Sequence, residues 1–163
     1  MRKIGSILLA VAMLLSLCAC GGQETPATTA APTADPAPVD LQSLYDTVVL
    51  QMPEMIVLDE TMMMNFLGIT AEDCANAVVA TCADGLRTDE IWLIEAADEA
   101  ALERLNTLAE TRLKLKGEES ITYSPEQYAV VQKAEIIING LYLALVVSPD
   151  VETLSGLCRD VIG

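Results

Sequence analysis

The chain has 163 residues, a formal net charge of −15 and no histidine. Without histidine it has no Ser-His-Asp triad, no imidazole general base and no His-ligated metal site. Because an acidic chain of pI ≈ 4.1 is repelled by phosphate backbones, its charge argues against a nucleic-acid partner. The length corresponds to one domain.

Residues 1–19 at the N-terminus have the layout of a secretory signal peptide. Arg2 and Lys3 precede an apolar run, residues 7–17, which is too short to span a bilayer as a stable anchor. Two cysteines follow at the end of this run. They belong either to a lipoprotein signal or to an ordinary secretory signal with an incidental cysteine pair.

The motif Leu17-Cys18-Ala19-Cys20 resembles a bacterial lipobox. An aliphatic residue stands three positions before Cys20 and a small residue directly before it, whereas the bulky Leu17 would precede a cleavage site at Cys18. The resemblance implies cleavage before Cys20, a diacylglycerol thioether on its sulfur, and an acyl group such as palmitate on the new amine.

Lipid on Cys20 is the expected attachment to the membrane, because two or three acyl chains hold a protein stably where one chain binds only marginally. Removing residues 1–19 takes away two cations and no acid, so 7 Lys and Arg remain against 24 Asp and Glu, a net charge of −17. Anionic lipids do not attract such a chain. We expect a lipid-anchored protein on the outer face of the bacterial cytoplasmic membrane.

Residues 20–40 are predicted to be a disordered tether that begins with the lipidated Cys20. After Cys20 the segment holds four Pro, four Thr and five Ala and almost no aliphatic residue. Such a composition cannot bury enough apolar surface to offset the entropy of ordering. The composition then changes, and residues 41–163 are long enough to form a single domain.

The domain begins with two predicted helices. Apolar residues recur at helical spacing over 41–52, which predicts an amphipathic helix that stops near Pro53. The methionine-rich segment 59–67 predicts a short helix closed by Gly68. Residues 70–73 then have the pattern of an N-capping turn.

A first hairpin and a long helix follow. Segments 77–82 and 90–96 are rich in β-forming residues and are joined by the turn-containing loop 84–88, which predicts two paired strands. Residues 98–116 have the strongest helical pattern in the chain.

A second hairpin is predicted around Asn139-Gly140, a dipeptide that tolerates positive φ and favours a two-residue type I′ turn. Its strands are 135–138 and 141–147. The second strand is apolar at nearly every position, so we expect it to be central and covered on both faces.

Two Ser-Pro pairs predict helix starts, with Ser as N-cap and Pro in the first turn. Ser124-Pro125 opens one helix, in which Gln127 is placed to complete a capping box. Ser148-Pro149 opens the last helix. The elements together predict an α+β domain: a mainly antiparallel, four-stranded sheet built from two β-hairpins, each followed by a helix, with the helices packed on the sheet.

Five short motifs occur in a characteristic order. They are Phe66-Leu67-Gly68-Ile69, Thr88-Asp89-Glu90-Ile91-Trp92-Leu93, Arg112, Tyr123-Ser124-Pro125-Glu126 and Asn139-Gly140-Leu141-Tyr142. Together they resemble the bacterial lipoprotein family catalogued as domain of unknown function 4358, over about residues 60–150. The resemblance implies small lipid-anchored proteins, chiefly of Gram-positive anaerobes, and brings no established catalytic or binding residues.

Arg112 falls inside the apolar arc of helix 98–116 on a helical wheel. One interpretation is a structural arginine whose stem packs in the core while its head reaches water or a carboxylate. The other is an arginine at the floor of a cleft, where its planar fork suits a bound carboxylate or phosphate. We favour the first interpretation, and the second gives the alternative function, binding of a small anion or solute.

Four acidic pairs are interpreted as solvated helix starts and loop charges. Glycosidase chemistry needs two carboxylates facing each other, whereas adjacent strand residues point to opposite faces. The sequence has no calcium-loop pattern, and we expect no metal and no cofactor. The pairs are Asp59-Glu60, Glu72-Asp73, Asp89-Glu90 and Glu118-Glu119.

Three cysteines, Cys74, Cys82 and Cys158, lie in the domain. Their number is odd, they form no C-x-x-C motif, and no histidine is present to activate a thiolate. Buried free thiols are therefore expected, with a disulfide from Cys158 to one of the others as the alternative.

The methionines offer one further binding feature. Met55 and Met62, Met63 and Met64 either fill the core or line an adaptable apolar groove for a partner. Because every usual nucleophile lacks its base, we do not expect an enzyme. We expect a non-catalytic interaction or accessory module that binds a protein or peptide through the methionine-rich segment or a sheet edge.

Overall fold

Residues 38–163 are described in the computed structural model of the chain. The predicted signal peptide (1–19), Cys20 and most of the tether (20–40) therefore lie outside the described residues. Residues Ala37–Gly163 form one compact unit. Among the described helices, none has the length and apolarity that crossing a membrane requires.

The domain is a single antiparallel sheet with helices on both faces. The strands follow the order β1-β2-β3-β5-β4, with every neighbouring pair antiparallel. In chain order the elements are α1 (Leu41–Val48), β1 (Met55–Val57), α2 (Glu60–Leu67), β2 (Cys74–Cys82), β3 (Glu90–Ala96), α3 (Glu99–Tyr123), α4 (Pro125–Val131), β4 (Glu135–Asn139), β5 (Tyr142–Val147) and α5 (Val151–Ile162), with 3-10 turns at Val49–Gln51 and Ala71–Asp73.

The predicted α+β class is confirmed, but the predicted four-stranded sheet is wrong because the sheet has five strands. Both predicted hairpins form, β2–β3 before α3 and β4–β5 before α5. The additional strand β1 pairs with β2, so that Ile56 lies opposite Thr81. Its three residues are too few for an alternating pattern to identify a strand.

The sheet separates two apolar cores. Helices α1 and α5 cover one face, and α2, α3 and α4 cover the other. Strand β5 lies between β3 and β4 and is buried on both faces, which confirms its predicted central place. Alternate residues of β3 serve the two cores: Ile91 and Leu93 face α1 and α5, whereas Trp92 and Ile94 face α3.

The turn between β4 and β5 differs from the prediction. Asn139 pairs with Tyr142 at the end of the ladder, so Gly140 and Leu141 occupy the two turn positions. Gly140 has a φ of 55°. A glycine followed by leucine favours a type II′ turn, since a type I′ turn would also need positive φ at leucine.

Two of the predicted helix ends are wrong. The last helix begins at Val151 with Asp150 as N-cap, because the backbone N–H of Asp150 donates to the hydroxyl of Ser148 and forms a turn before the helix. Helix α3 continues past residue 116 to Tyr123. Gly117 does not end the helix; it is buried where α4 packs beside α3, and a Cβ there would make an ordinary contact of 3.8 Å with Tyr128.

The first and last parts of the described chain meet at the β4–β5 turn. The backbone N–H of Val39 donates to the hydroxyl of Tyr142 over 3.3 Å. The side-chain amide of Asn139 donates to the backbone carbonyl of Ile162. Val39 and Ile162 therefore both lie at the end of the sheet where β5 begins.

Candidate functional site

Glu90 is a buried carboxylate at the opposite end of the sheet. It is the first residue of β3, and it lies in a row of paired residues with Ile56 and Thr81 on one side and Val147 on the other. Its side chain is 1% exposed. Since side chains alternate along a strand, Glu90 points to the same face as Trp92, toward α3.

Three donors converge on the Glu90 carboxylate. Arg112 donates from Nε to Oε1 over 3.0 Å and from Nη2 to Oε2 over 2.8 Å. Lys116 lies one helical turn further along α3 and places Nζ 2.9 Å from Oε2. The indole N–H of Trp92 donates to Oε1 over 2.8 Å. Each oxygen of the carboxylate thus has two donors.

The surrounding charges keep this cluster ionised. Burial alone would raise the pKa of Glu90, but the hydrogen bonds from Arg112 and the positive charge of Lys116 outweigh it and lower the pKa below its ordinary value. Burial would likewise lower the pKa of Arg112, yet the Glu90 carboxylate raises it above its ordinary value. Opposite charges therefore face each other at neutral pH.

Loop 84–88 is held over the cluster by polar contacts. Lys116 Nζ donates to the backbone carbonyl of Thr88 over 2.9 Å. The Oε1 atom of Gln127 accepts from the N–H of Thr88 over 2.8 Å and from its hydroxyl over 2.9 Å. Ser124 is the N-cap of α4 as predicted, but the predicted capping box is wrong because the Gln127 side chain bonds to Thr88 instead.

Asp89 is a second buried carboxylate beside the cluster. Its side chain is fully buried, and Oδ2 accepts from Arg87 Nε over 3.0 Å. Within residues 38–163, its Oδ1 has no hydrogen-bond partner. The interpretation of Asp89-Glu90 as a solvated pair is therefore wrong: Arg87, Arg112 and Lys116 supply the countercharges that make burial tolerable.

The other acidic pairs are exposed at helix starts or on helix surfaces except for Asp73, whose burial makes the solvated interpretation wrong for that residue as well. Asp59 is the N-cap of α2, where its carboxylate accepts from the N–H of Met62. Asp73 is buried and accepts from Arg104 of α3 over 2.6 Å. In the described part of the chain, no three Asp, Glu or Cys side chains are grouped closely enough to hold a metal ion.

Arg112 pairs with the buried carboxylate of Glu90, as the interpretation of a structural arginine requires. It also borders two cavities. One, of ≈ 970 Å³, is additionally lined by Arg87, Lys116 and Glu119. Its three cations are matched by Asp89, Glu90 and Glu119, so the cluster has no excess positive charge. Binding of an anion by Arg112 stays a prediction.

The second cavity, which we call the edge groove, has ≈ 380 Å³ and is largely apolar. It runs from the open edge of the sheet at β1 to the Arg112–Glu90 pair. Thr81 completes its inner end. Its apolar lining consists of Ile56, Leu58, Met62, Phe66 and Leu67.

The methionines that were predicted to fill the core or line a groove lie in three different environments. Met62 lines the edge groove, whereas Met63 is buried in the core and Met64 is 53% exposed. Met55 packs against the core on the α1 side of the sheet. The segment therefore fills the core and borders a groove at the same time.

The three cysteines carry free thiols, as predicted. Cys74 is half-buried, and burial together with the charge of Asp73 raises the pKa of its thiol to about 11. Burial also raises the pKa of the Cys158 thiol to about 11. Since the thiolate is the reactive form, neither thiol is activated for nucleophilic attack at neutral pH.

The chain belongs to the family described as Domain of unknown function (DUF4358), whose model matches residues 43–148. The match extends from α1 to the end of β5 and includes Glu90, Arg112 and the edge groove. It confirms the family resemblance seen in the short motifs. No curated protein and no solved structure shows a significant match to the chain.

Proposed function

We propose that the protein is a lipid-anchored, extracytoplasmic interaction module without catalytic activity. The observation that carries this proposal is the apolar surface beside the edge groove. The side chains of Ile56, Val57, Met64 and Phe66 are all about half exposed or more. Of these, Ile56 of β1 and Phe66 of α2 line the same groove, so their exposed apolar surface is continuous with its apolar lining.

Grouped exposed apolar side chains favour a binding surface. A soluble domain gains stability by removing such groups from water, and contiguous apolar patches on monomers mark sites of interaction. Phe66 in particular is 66% exposed, and aromatic residues supply much of the binding energy at interfaces. A partner that covers Phe66 would remove this area from water.

The charged cluster supports a non-catalytic role. Arg112, Lys116 and Trp92 already donate to the Glu90 carboxylate, and this arrangement holds β3 to α3. A carboxylate that acts as a general base needs access to a substrate proton. Both oxygens of Glu90 already have two donors each, so its geometry suits stabilisation of the fold.

The first test is crosslinking in the native membrane, followed by mass spectrometry of what is attached. We expect one stoichiometric partner, and we expect Phe66→Ser to remove it. Tyr123→Ser is the matched control, because Tyr123 is an aromatic residue that is 87% exposed and lies away from the edge groove. The proposal is wrong if no partner exceeds background, or if both variants retain it equally.

The membrane attachment has its own test. Replacing Cys20 by Ala removes the only sulfur that fits the lipobox, so we expect loss of lipid labelling and release from the membrane fraction. Cys18→Ala removes the neighbouring thiol and should change neither. Retention of Cys20→Ala in the membrane would contradict lipid anchoring.

A small-anion-binding lipoprotein is the second candidate, because Arg87, Arg112 and Lys116 line one cavity. Under this function, phosphate or a small carboxylate would raise the melting temperature of the wild type. The increase would disappear in Arg112→Met. Equal melting temperatures with and without anions would remove this candidate.

A further inference from the structure

We infer that the partner of the β1 edge is an extended segment of another protein, with apolar residues flanked by Lys or Arg, which adds a strand to the sheet. This inference rests on the proposed interaction function and names the class of partner. Its starting point is the direction of the backbone groups in β1.

The backbone of β1 has hydrogen-bonding groups directed away from the sheet. Glu54 accepts from Ala83 of the β2 side, and Leu58 donates to Val79, each over 2.8 Å. In an antiparallel ladder the residues that bond to one neighbour alternate with those that face the other side. The N–H and C=O groups of Met55 and Val57 therefore point to the open edge.

No strand within residues 38–163 pairs with this side of β1. An added strand would bond to Met55 and Val57. Because Ile56 and Leu58 line the edge groove, alternate side chains of that strand would lie beside the groove, next to Phe66. Main-chain bonds and an apolar pocket thus lie at the same edge, which is the combination that strand addition uses.

The charges on either side of β1 indicate which kind of peptide segment would pair with it. Glu54 precedes β1, and Asp59 and Glu60 follow it; all three are exposed. Within the described residues none of the three forms an ion pair. An apolar strand flanked by acids is complementary to an apolar strand flanked by cations, and like charges in these positions would repel.

The same charges argue against a second copy of this chain as the occupant. Two β1 strands paired antiparallel about Ile56 would place Glu54 of one copy opposite Leu58 of the other. Asp59 and Glu60 of the second copy would then lie beside that glutamate. Carboxylates would converge at both ends of the paired strands, and the chain as a whole has a net charge of −15.

The test begins with the purified full-length protein and a displayed library of random peptides about twelve residues long, enough for one strand with its flanks. We expect selection of alternating apolar sequences with Lys or Arg at their ends. Selection of acidic peptides, or of no class at all, would overturn the inference.

The most enriched peptide is then measured by fluorescence anisotropy on two proline variants. Val57→Pro removes an outward N–H while leaving the bonds from β1 to β2, since proline is tolerated on the open side of an edge strand. Ile138→Pro is the control on the opposite edge, where the pairing of Asn139 with Tyr142 directs the Ile138 N–H outward. We expect affinity at least about tenfold weaker in Val57→Pro and unchanged in the control.

Hydrogen exchange of the wild-type protein supplies a measurement that needs no variant. Bound peptide should slow exchange at the amides of Met55 and Val57, whereas the amide of Ile56 already bonds within the sheet. If membrane crosslinking identifies a partner that Val57→Pro retains, the interaction module stands and strand addition is wrong. If neither crosslinking nor selection yields a partner, both proposals fail.

Discussion

Two regions that border the edge groove reverse the usual distribution of buried and exposed residues. At its inner end, Glu90 is 1% exposed and carries a full charge. At its outer end, Phe66 of α2 is 66% exposed and has no charge at all. The charged group is inside the protein and the aromatic group is outside.

The difference lies in whether each unfavourable placement is compensated within the chain. The buried carboxylate has Arg112, Lys116 and Trp92 as donors, so its desolvation is offset inside the fold. The exposed apolar residues at β1 and α2 have no comparable compensation among residues 38–163. The buried charge therefore supports a structural role for Glu90, and the exposed apolar side chains support the proposed binding surface.

The largest expected effect follows from Glu90→Gln. The variant leaves Arg112 and Lys116 partly desolvated without a countercharge, so we expect the free energy of unfolding to fall by about 3–5 kcal/mol. Urea unfolding followed by the fluorescence of Trp92, the one tryptophan of the chain, measures this. Glu110→Gln is the control: Glu110 is exposed, and its loss should change the free energy by less than about 0.5 kcal/mol.

A smaller loss is expected for Arg112→Met. Methionine keeps an apolar stem, and Lys116 and Trp92 still donate to Glu90, so the free energy of unfolding should fall by about 1–3 kcal/mol. Thermal unfolding followed by circular dichroism measures it. A melting temperature that is unchanged or raised, with anion binding lost, would instead identify Arg112 as a binding residue.

Acid should remove the Glu90 contribution gradually. Because the pKa of Glu90 in the folded protein is below its ordinary 4.5, its stabilising contribution is complete above that value and is lost as pH falls through the lower, folded pKa. The difference in unfolding free energy between wild type and Glu90→Gln should therefore shrink below about pH 4.5. A constant difference from pH 6 to pH 3 would contradict this assignment.

The smallest effect on stability is expected at the outer end. Phe66→Ser changes an exposed residue, so the free energy of unfolding should change by about 0.5 kcal/mol or less, while crosslinking to the partner is lost. A stability loss of several kcal/mol would show that Phe66 belongs to the core, and the comparison between the two regions would then fail.

Much of this fold could be predicted because its signals are local. Two runs of β-forming residues joined by a turn-containing loop predict the β2–β3 hairpin, and Gly68 predicts the end of α2. Strand β1 could not be identified, because three residues at an edge acquire their structure from pairing with β2. The position of the β4–β5 turn depends on ladder register, which puts Gly140 rather than Asn139 in the first turn position.

Only part of the candidate site could be predicted from the sequence. Arg112 could be singled out because a cation within an apolar helical face needs a partner. The burial of Glu90 is not evident from the sequence around it, since it depends on Arg112 and Lys116, which follow it by more than twenty residues. The spacing of Arg112 and Lys116 at i and i+4 is a signal that could have predicted this burial. It places two cations on one side of α3, where a buried acid would supply their countercharge.

The meeting of Val39 and Ile162 at the β4–β5 turn has a consequence for orientation. From Tyr142 to Val147, strand β5 extends over five residue steps, or about 17 Å at ~3.3 Å per step, and Val147 lies in the row of Glu90, Thr81 and Ile56. Chain that leaves the domain before Val39 or after Ile162 departs at the far end from the edge groove. A bulky fusion on either side, such as a fluorescent protein, should therefore leave the groove accessible to a partner.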